Sequence, residues 1–200
     1  VKDIKEERLN YEKARQIEKI DFDETDKRTN LQPGDILFTN TGTIGRMAIA
    51  PDNALTRKTT FQKSVAIIKP KKDLVFPKYL YYLLKKENKR LCMFAEGTTQ
   101  KNLLLKDLRS FHIGKIPELH YQKAIAHVLG TLDAKIELNK KTNEILEQTA
   151  KALFKSWFID FDPVKARLEG RSTGLPDEIS NLFPNSFDDS EDGVIPKSWN

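Results

Sequence analysis

The stretch from Gln122 to Asp160 constrains the fold more than any other part of this sequence, because it has the pattern of one long helix. It contains no proline, and its single glycine, Gly130, costs a helix only about 1 kcal/mol relative to alanine. Apolar residues alternate three and four positions apart, which is the spacing of the seam along which supercoiled helices pack. This apolar seam, with the polar residues that fall on it, comprises Ile125, Leu129, Leu132, Ile136, Asn139, Asn143, Leu146, Leu153 and Trp157.

The two asparagines, Asn139 and Asn143, interrupt the apolar seam near its middle. A buried polar residue weakens a coiled coil but fixes the register and orientation of its helices. At 1.5 Å per residue the helix would be about 58 Å long, too long to lie wholly inside a small globular core. The pattern therefore predicts a spacer or a dimerisation helix. The alternative is an amphipathic helix that packs against its own domain.

The residues before this helix have the pattern of a small mixed domain. Turn residues separate β-type runs at 36–39, 44–50 and 62–69, and a helix is predicted from Pro77, where the missing N–H costs nothing. The charged segment 2–18 is predicted to be partly helical. The fold class expected is α+β: a small mixed α/β domain, one long coiled-coil-forming helix, and an irregular tail rich in Gly, Pro, Ser and acids.

The charge of the chain is unevenly distributed. The formal net charge is +5, and residues 55–72 are basic with no acid among them, whereas residues 160–192 are mainly acidic. A basic body followed by an acidic tail favours a polyanion-binding surface, nucleic acid in particular. A solvated, lysine-rich surface is the alternative that charge alone leaves open.

Cysteine content and hydropathy favour a reducing cytoplasm and no membrane partner. No apolar run approaches the roughly 20 residues that span a bilayer, and no signal peptide is visible. The one cysteine, Cys92, can form neither an intrachain disulfide nor a cysteine-based zinc site.

The residue patterns that enzymes need are missing from this sequence. There is no phosphate-binding Gly-Lys-Ser/Thr loop and no Gly-x-Gly-x-x-Gly after a strand. The three histidines (His112, His120 and His127) lack the spacing of metal ligands. Glu118 with Asp133 resembles a nuclease carboxylate pair, but Asp133 lies beside the apolar seam, where no cleft is expected. Neither a catalytic site nor a metal site is predicted.

Three polar loops suit binding better than catalysis. Arg, Lys, Gln and Asn side chains bond base edges and phosphates, and Thr hydroxyls and glycine N–H groups bond phosphates. The alternative is that the glycines satisfy turn geometry and that the third loop is a structural cap. The candidate DNA contacts are Thr41, Gly42, Thr43 and Arg46 at a hairpin tip, Arg57, Lys58, Thr60, Gln62 and Lys63 in the next connection, and Gln100, Lys101 and Asn102 in the third loop.

A series of motifs occurs in order over about residues 31 to 165. They are GDIL through GTIGR (34–46), QKSVA (62–66), PKYLYYLL (77–84), GTTQKNL (97–103), QKAIA (122–126), LFKSWF (153–158) and DFDPV (160–164). Each motif is weak alone, but in this order they resemble the specificity (S) subunit of type I restriction–modification systems. The stretch 195–199 resembles the opening of a second recognition domain in that family.

The resemblance implies an architecture and a function. A full S subunit is similar to two copies of a unit in which a target recognition domain precedes a conserved helix. The two helices pair antiparallel, each domain reads one half of a split DNA sequence, and methylation and cleavage belong to other subunits. Applied to this chain, the boundaries are 1–118 for a recognition domain, 119–162 for the dimerisation or spacer helix, 163–192 for a linker and 193–200 for the start of a second recognition domain.

The chain departs from the family pattern in holding one recognition domain, whose first part is expected to lie before Val1, and one helix. We expect either a half subunit that pairs with itself through the apolar seam or a truncated product without an intact reader. The function predicted is a non-catalytic, cytoplasmic DNA-binding specificity subunit with no cofactor of its own. Its expected partners are double-stranded DNA and the methyltransferase (modification) and restriction subunits. The alternatives are the recognition end of a fused restriction–methylation enzyme and a purely structural dimerisation protein.

Overall fold

The structure, a computed structural model, describes residues 4–5, 8–11, 14–97, 101–190 and 193–199. Its contacts divide the chain into two compact units, residues 1–132 and 133–200, so that the division falls inside the long helix. The boundaries expected after residues 118 and 162 differ from this division and stay predictions.

The first unit contains short strands and helices followed by the start of the long helix. In chain order its elements are β1 (Ile4–Lys5), β2 (Arg8–Leu9), α1 (Lys19–Thr29), β3 (Ile36–Thr39), β4 (Met47–Ile49), a 3-10 turn (Thr56–Lys58), β5 (Val65–Ile68), α2 (Pro77–Met93), α3 (Leu105–Ser110) and the first part of α4 (Leu119–Phe158).

The strand β3 is the centre of a three-stranded antiparallel sheet and pairs with β4 on one side and β5 on the other. Neighbouring side chains of a strand point to opposite faces. Ile36 and Phe38 accordingly pack in one apolar cluster with residues of α2, whereas Leu37 packs in a second cluster with Leu31 and Ala48. Both faces are covered, and every residue of β3 is buried.

The helix predicted from Pro77 is confirmed. Pro77 lies in its first turn, and its buried face includes Leu80, Leu84 and Leu91, spaced as one side of a helix requires. The two outer strands are shorter than the predicted runs 44–50 and 62–69, because the residues on either side of them form the connecting loops described below.

The N-terminal segment differs from its prediction. Residues 2–18 were expected to be partly helical, but the described part of this segment holds the antiparallel pair β1–β2, and the first helix begins only at Lys19. Ile4 is buried against Leu37 and Ala48, and Leu9 packs against the same cluster. This burial on the sheet face outweighs the helical preference of the charged residues between them.

The second unit contains the remainder of α4, which is one unbroken helix of 40 residues, and the tail. The linker predicted at 163–192 is not irregular: it holds α5 (Asp162–Leu168), α6 (Asp177–Ser180) and β6 (Phe187–Ser190), which pairs with β7 (Gly193–Pro196). Aromatic side chains account for this order, because they pack around the end of α4. The ring pairs include Trp157 with Phe183, 5.5 Å between centroids, Phe158 with Trp199, 5.6 Å, and Phe161 with Phe187, 6.0 Å.

Candidate nucleic-acid interface

The hairpin tip between β3 and β4 lies against the third polar loop. The Thr41 hydroxyl donates a hydrogen bond to Asn102 Oδ1 at 2.9 Å, and the Gly42 amide donates to the Lys101 carbonyl oxygen at 3.3 Å. These bonds join residues about 60 positions apart in the chain. Two of the three predicted loops therefore form one surface.

Two polar side chains, the buried Thr39 and the half-buried Asn88, hold this hairpin tip in shape. Thr39 Oγ1 accepts a hydrogen bond from the Arg46 amide at 2.9 Å and donates to the Thr43 carbonyl oxygen. From α2, the Asn88 amide group donates to the Gly45 carbonyl oxygen at 3.0 Å. Gly45 has a φ of +89°, and a Cβ there would lie 2.7 Å from Asn88 Oδ1. Gly45 therefore has a structural role, which the turn-geometry alternative anticipated.

Asn40, which the sequence reasoning missed, connects the hairpin tip to the segment that carries Lys63. Its backbone amide donates to the Ser64 carbonyl oxygen at 3.0 Å, and its backbone carbonyl oxygen accepts from the Leu103 backbone amide at 2.8 Å. Its side-chain amide group also donates to the Leu103 carbonyl oxygen. We call residues 41–46, 62–64 and 101–102, which these bonds bring together, the loop cluster.

The remaining predicted residues of the second loop have different surroundings. Thr56, at the start of the 3-10 turn, is buried and forms hydrogen bonds with Pro51 and Asn53. The next two residues of the turn, Arg57 and Lys58, are exposed. The Thr60 hydroxyl bonds to the Thr29 hydroxyl at 3.0 Å and therefore has a partner within the fold. Gln62 is exposed in the loop cluster. Gln100 lies outside the described residues.

Not all the basic residues of this region are available to a ligand. Lys69 Nζ lies 2.7 Å from Asp35 Oδ2 and also donates to the Asn30 carbonyl oxygen, and Lys72 donates to the Pro33 carbonyl oxygen. Arg57 has only a distant, exposed contact with Asp52, 3.9 Å apart, of a kind that contributes little.

Three cations of the loop cluster are exposed and unpaired. The side chains of Arg46, Lys63 and Lys101 make no hydrogen bond or ion pair with another described residue. Arg57 and Lys58 are exposed as well, but the described contacts do not join them to the loop cluster. The loop cluster thus combines a fixed polar backbone with free positive charges, which is the chemistry that binds phosphates.

The apolar seam of α4 lies largely exposed. Ile125, Leu132, Ile136, Leu146 and Leu153 are between 41% and 60% exposed. Asn139 and Asn143 are exposed, and Leu129 is half-buried. Trp157 differs, because its ring packs in the aromatic cluster of the second unit. Exposed apolar side chains also occur outside the seam, at Leu138, Ile145 and Phe154.

The described residues were also compared with the requirements of a metal site and of a reactive thiol. No three His, Cys, Asp or Glu side chains there are close enough together to hold a metal ion. Burial raises the pKa of the Cys92 thiol, so that the nucleophilic thiolate is disfavoured at neutral pH. Cys92 lies beneath Gly45, where its sulfur fills space under the hairpin tip.

The comparison with known families decides the identity of the chain. Residues 4–148 match the family model described as the type I restriction modification DNA specificity domain. The chain belongs to this family. The match includes the whole loop cluster and the apolar seam as far as Leu146, and it confirms the resemblance seen in the motifs.

Two individual specificity subunits agree in sequence with this assignment. The chain is 34% identical over 156 residues to the type I restriction enzyme HindI specificity subunit of Haemophilus influenzae, covering 76% of this chain and 34% of that protein. It is 37% identical over 168 residues to the type I restriction enzyme MjaIX specificity subunit of Methanocaldococcus jannaschii, covering 83% of this chain and 34% of that protein. In structure it is similar to the S subunit of a type I restriction-modification system from M. genitalium, with a TM-score of 0.47 and 20% sequence identity. The matched region covers 76% of this chain and 36% of that one.

The chain spans about a third of the length of the specificity subunits that it matches. The relatives that match are named specificity subunits, so the predicted family is confirmed. The mixed helix-and-strand fold predicted for this class is also confirmed. Within the described part of the chain, no helix combines the length and the apolar character needed to cross a bilayer.

Proposed function

We propose that this chain is a sequence-specific DNA-binding specificity subunit, or half of one, that directs methyltransferase and restriction subunits to a bipartite DNA target. The observation that supports this most is the loop cluster. Three loops that are distant in sequence are bonded together, they carry unpaired cations, and they lie within the residues that match a DNA specificity domain.

The side chains of the loop cluster have different proposed roles. Lys63 and Lys101 are flexible, exposed cations that suit phosphate contacts, which set affinity and register without reading sequence. Arg46 presents a planar fork that can bond guanine or phosphate with two donors. Thr41 and Asn102 bond each other and therefore hold the loops in place rather than read bases. Base reading by Arg46 is favoured over base reading by either of them.

A second copy of the chain is the proposed partner of the apolar seam. Exposed side chains such as Leu132, Ile136 and Leu146 bury apolar area only against a partner helix. Asn139 and Asn143 would meet polar groups of the other copy and fix the register. Such a dimer presents two identical loop clusters, so that its target would have two related half-sites separated by a gap that the paired helices determine.

The modification and restriction subunits are the further proposed partners, and the methyl donor belongs to the modification subunit. The assembly would act on double-stranded DNA in the cytoplasm. The specificity chain would place these subunits at a defined site on the DNA and would carry out no chemical step itself.

Selection from a pool of randomised duplex DNA tests the proposal. The full chain, with modification subunits present, is expected to enrich a bipartite sequence. Binding to that duplex should weaken as salt rises from about 50 to 200 mM. Replacing Lys63 and Lys101 with glutamate should weaken binding at least about tenfold and should reduce the slope of log affinity against log salt by about one for each lost phosphate contact.

The matched control is the double variant Lys115→Glu, Lys123→Glu, which makes the same charge change at exposed positions outside the loop cluster. It should leave affinity within about twofold of the unmodified chain. Failure of the unmodified chain to enrich any sequence would refute the proposed function. Equal losses in the loop variant and the control would mean that the loop cluster is not the contact surface.

A further inference from the structure

Gln122 is a polar residue that is only 1% exposed, although it lies near the start of a largely exposed helix, α4. Its side-chain Oε1 accepts a hydrogen bond from the Phe76 amide at 2.8 Å. Its Nε2 donates to the Leu74 carbonyl oxygen at 3.1 Å and to the Pro117 carbonyl oxygen at 2.8 Å. Both amide donor hydrogens and the acceptor oxygen are thus used inside the protein.

These bonds join segments that are distant in sequence. Leu74 and Phe76 lead directly into α2, whereas Pro117 lies just before α4. The helix α2 packs on the sheet that carries the loop cluster, and its Asn88 bonds to the hairpin tip. Gln122 is therefore the polar link between the helix that supports the loops and the helix that carries the apolar seam.

Two further residues extend this contact along the same side of α4. Ala126, one turn after Gln122, is only 1% exposed. Gly130, another turn on, leaves room for residues of α2: a Cβ there would lie 2.2 Å from Lys78 Nζ and 3.6 Å from the Tyr82 hydroxyl oxygen. Positions four apart lie on one face of a helix. The face formed by Gln122, Ala126 and Gly130 is thus occupied by the chain's own first unit.

We infer that Gln122 is a positioning residue that holds the first turns of α4 in one orientation on α2, and thereby fixes the separation of half-sites that a pair of these chains accepts. The inference rests on the proposed function for its consequence at DNA, but the holding role can be measured without DNA. Apolar packing alone permits sliding, whereas three hydrogen bonds with defined directions allow one arrangement. Loss of these bonds should therefore change geometry more than it changes contact with a single half-site.

Distances between spin labels test the holding role directly. Labels are placed at Lys63→Cys in the loop cluster and His127→Cys on α4, both exposed positions of the first unit, in a Cys92→Ala background. The labelled chain is diluted into an excess of unlabelled chain, so that only distances within one chain are measured. The unmodified Gln122 chain should then give one narrow distance distribution. Gln122→Met, which keeps the volume but loses all three bonds, should broaden or split it. Gln122→Glu, which keeps the acceptor for Phe76, should give an intermediate width, and Lys123→Met, the exposed neighbour, should change nothing.

Hydrogen exchange in the unmodified chain gives a second measurement that does not depend on any variant folding. The Phe76 amide should exchange as slowly as the amides in the middle of α2, because it donates to a buried side chain. Rapid exchange of this amide, or a Gln122→Met distribution as narrow as that of the parent, would overturn the holding role.

Selection from the same randomised duplex pool tests the consequence at DNA. The unmodified chain should enrich one gap between half-sites, whereas Gln122→Met should enrich the same bases with several gaps. A single, unchanged gap in Gln122→Met would overturn the inference even if the label distances broaden. No enrichment by the unmodified chain would refute the proposed function instead, and the label distances and the Phe76 exchange rate would then decide the holding role.

Discussion

The loop cluster and the exposed part of α4 differ in the surroundings of their side chains. Polar groups of the loop cluster are hydrogen-bonded within the fold, whereas apolar side chains of α4 are exposed. In the loop cluster Thr41 bonds to Asn102, and Asn40, which precedes the cluster in the chain, bonds to its Ser64. In α4 every residue from 138 to 155 is exposed, including apolar ones. A surface whose polar groups are already fixed can bind without reorganising, whereas an exposed apolar stripe is stable only when a partner covers it. This difference is the reason why we propose DNA as the partner of the loop cluster and protein as the partner of the exposed part of α4.

The change expected to have the largest effect is Ile136→Asp in the apolar seam. A charge without a partner in an apolar interface costs about 3 kcal/mol or more, so dimer dissociation should become more than 100-fold easier. The measurement is molar mass by size-exclusion chromatography with light scattering, over a range of concentrations. Helix content should not change, because Ile136 is 55% exposed within one chain.

The control for this variant is Ala134→Asp, which places the same charge on the exposed face of α4 opposite the apolar seam. It should leave the molar mass of the parent. A dimer that survives Ile136→Asp would move the contact to the other exposed apolar side chains, Leu138 and Ile145.

The next largest effect concerns the rigidity of the loop cluster and compares two of its glycines. Gly45 and Gly42 both have positive φ, +89° and +74°. A Cβ at position 45 would collide with Asn88 and Cys92, whereas position 42 is open. Gly45→Ala should therefore reduce the free energy of unfolding by about 2–3 kcal/mol and Gly42→Ala by about 1 kcal/mol. Chemical denaturation measures both; equal losses would mean that Asn88 does not clamp the hairpin tip.

A smaller difference in the free energy of unfolding is expected between two ion pairs near the loops, one with a buried carboxylate and one with an exposed carboxylate. The Asp35 side chain is 5% exposed and bonds to both Lys69 and the Gln32 amide, whereas the Asp52 side chain is 83% exposed. Asp35→Asn should reduce the free energy of unfolding by about 1–2 kcal/mol, and Asp52→Asn by less than about 0.5 kcal/mol. Thermal unfolding checks the ranking, and a reversed order would contradict the structural role given to Lys69.

The features that repeat along the chain were predictable from the sequence. The period of α4 predicted a long helix, and Pro77 marked the start of α2. The strand predicted at 36–39 coincides with β3, because three consecutive apolar residues followed by a β-branched threonine are flanked by turn residues. The motif order led to the right family, since order over a long stretch is more specific than any single motif.

The features that depend on contacts between distant residues were not predictable in this way. Asn40 and Gln122 are single polar residues without a local pattern, and their partners lie roughly 50 or more positions away, at Leu103 and at Leu74. The tail was expected to be irregular because its polar composition hides a few aromatic residues, such as Phe183, that pack around the end of α4. Composition averages over these residues, whereas packing depends on each of them.

The central claim is that the apolar seam of α4 is covered by a second copy of the chain, and sedimentation equilibrium of the full, unmodified chain tests it most directly. The account predicts a molar mass of twice 23.0 kDa that persists on dilution to low micromolar concentration. A mass of 23.0 kDa at all concentrations would contradict it.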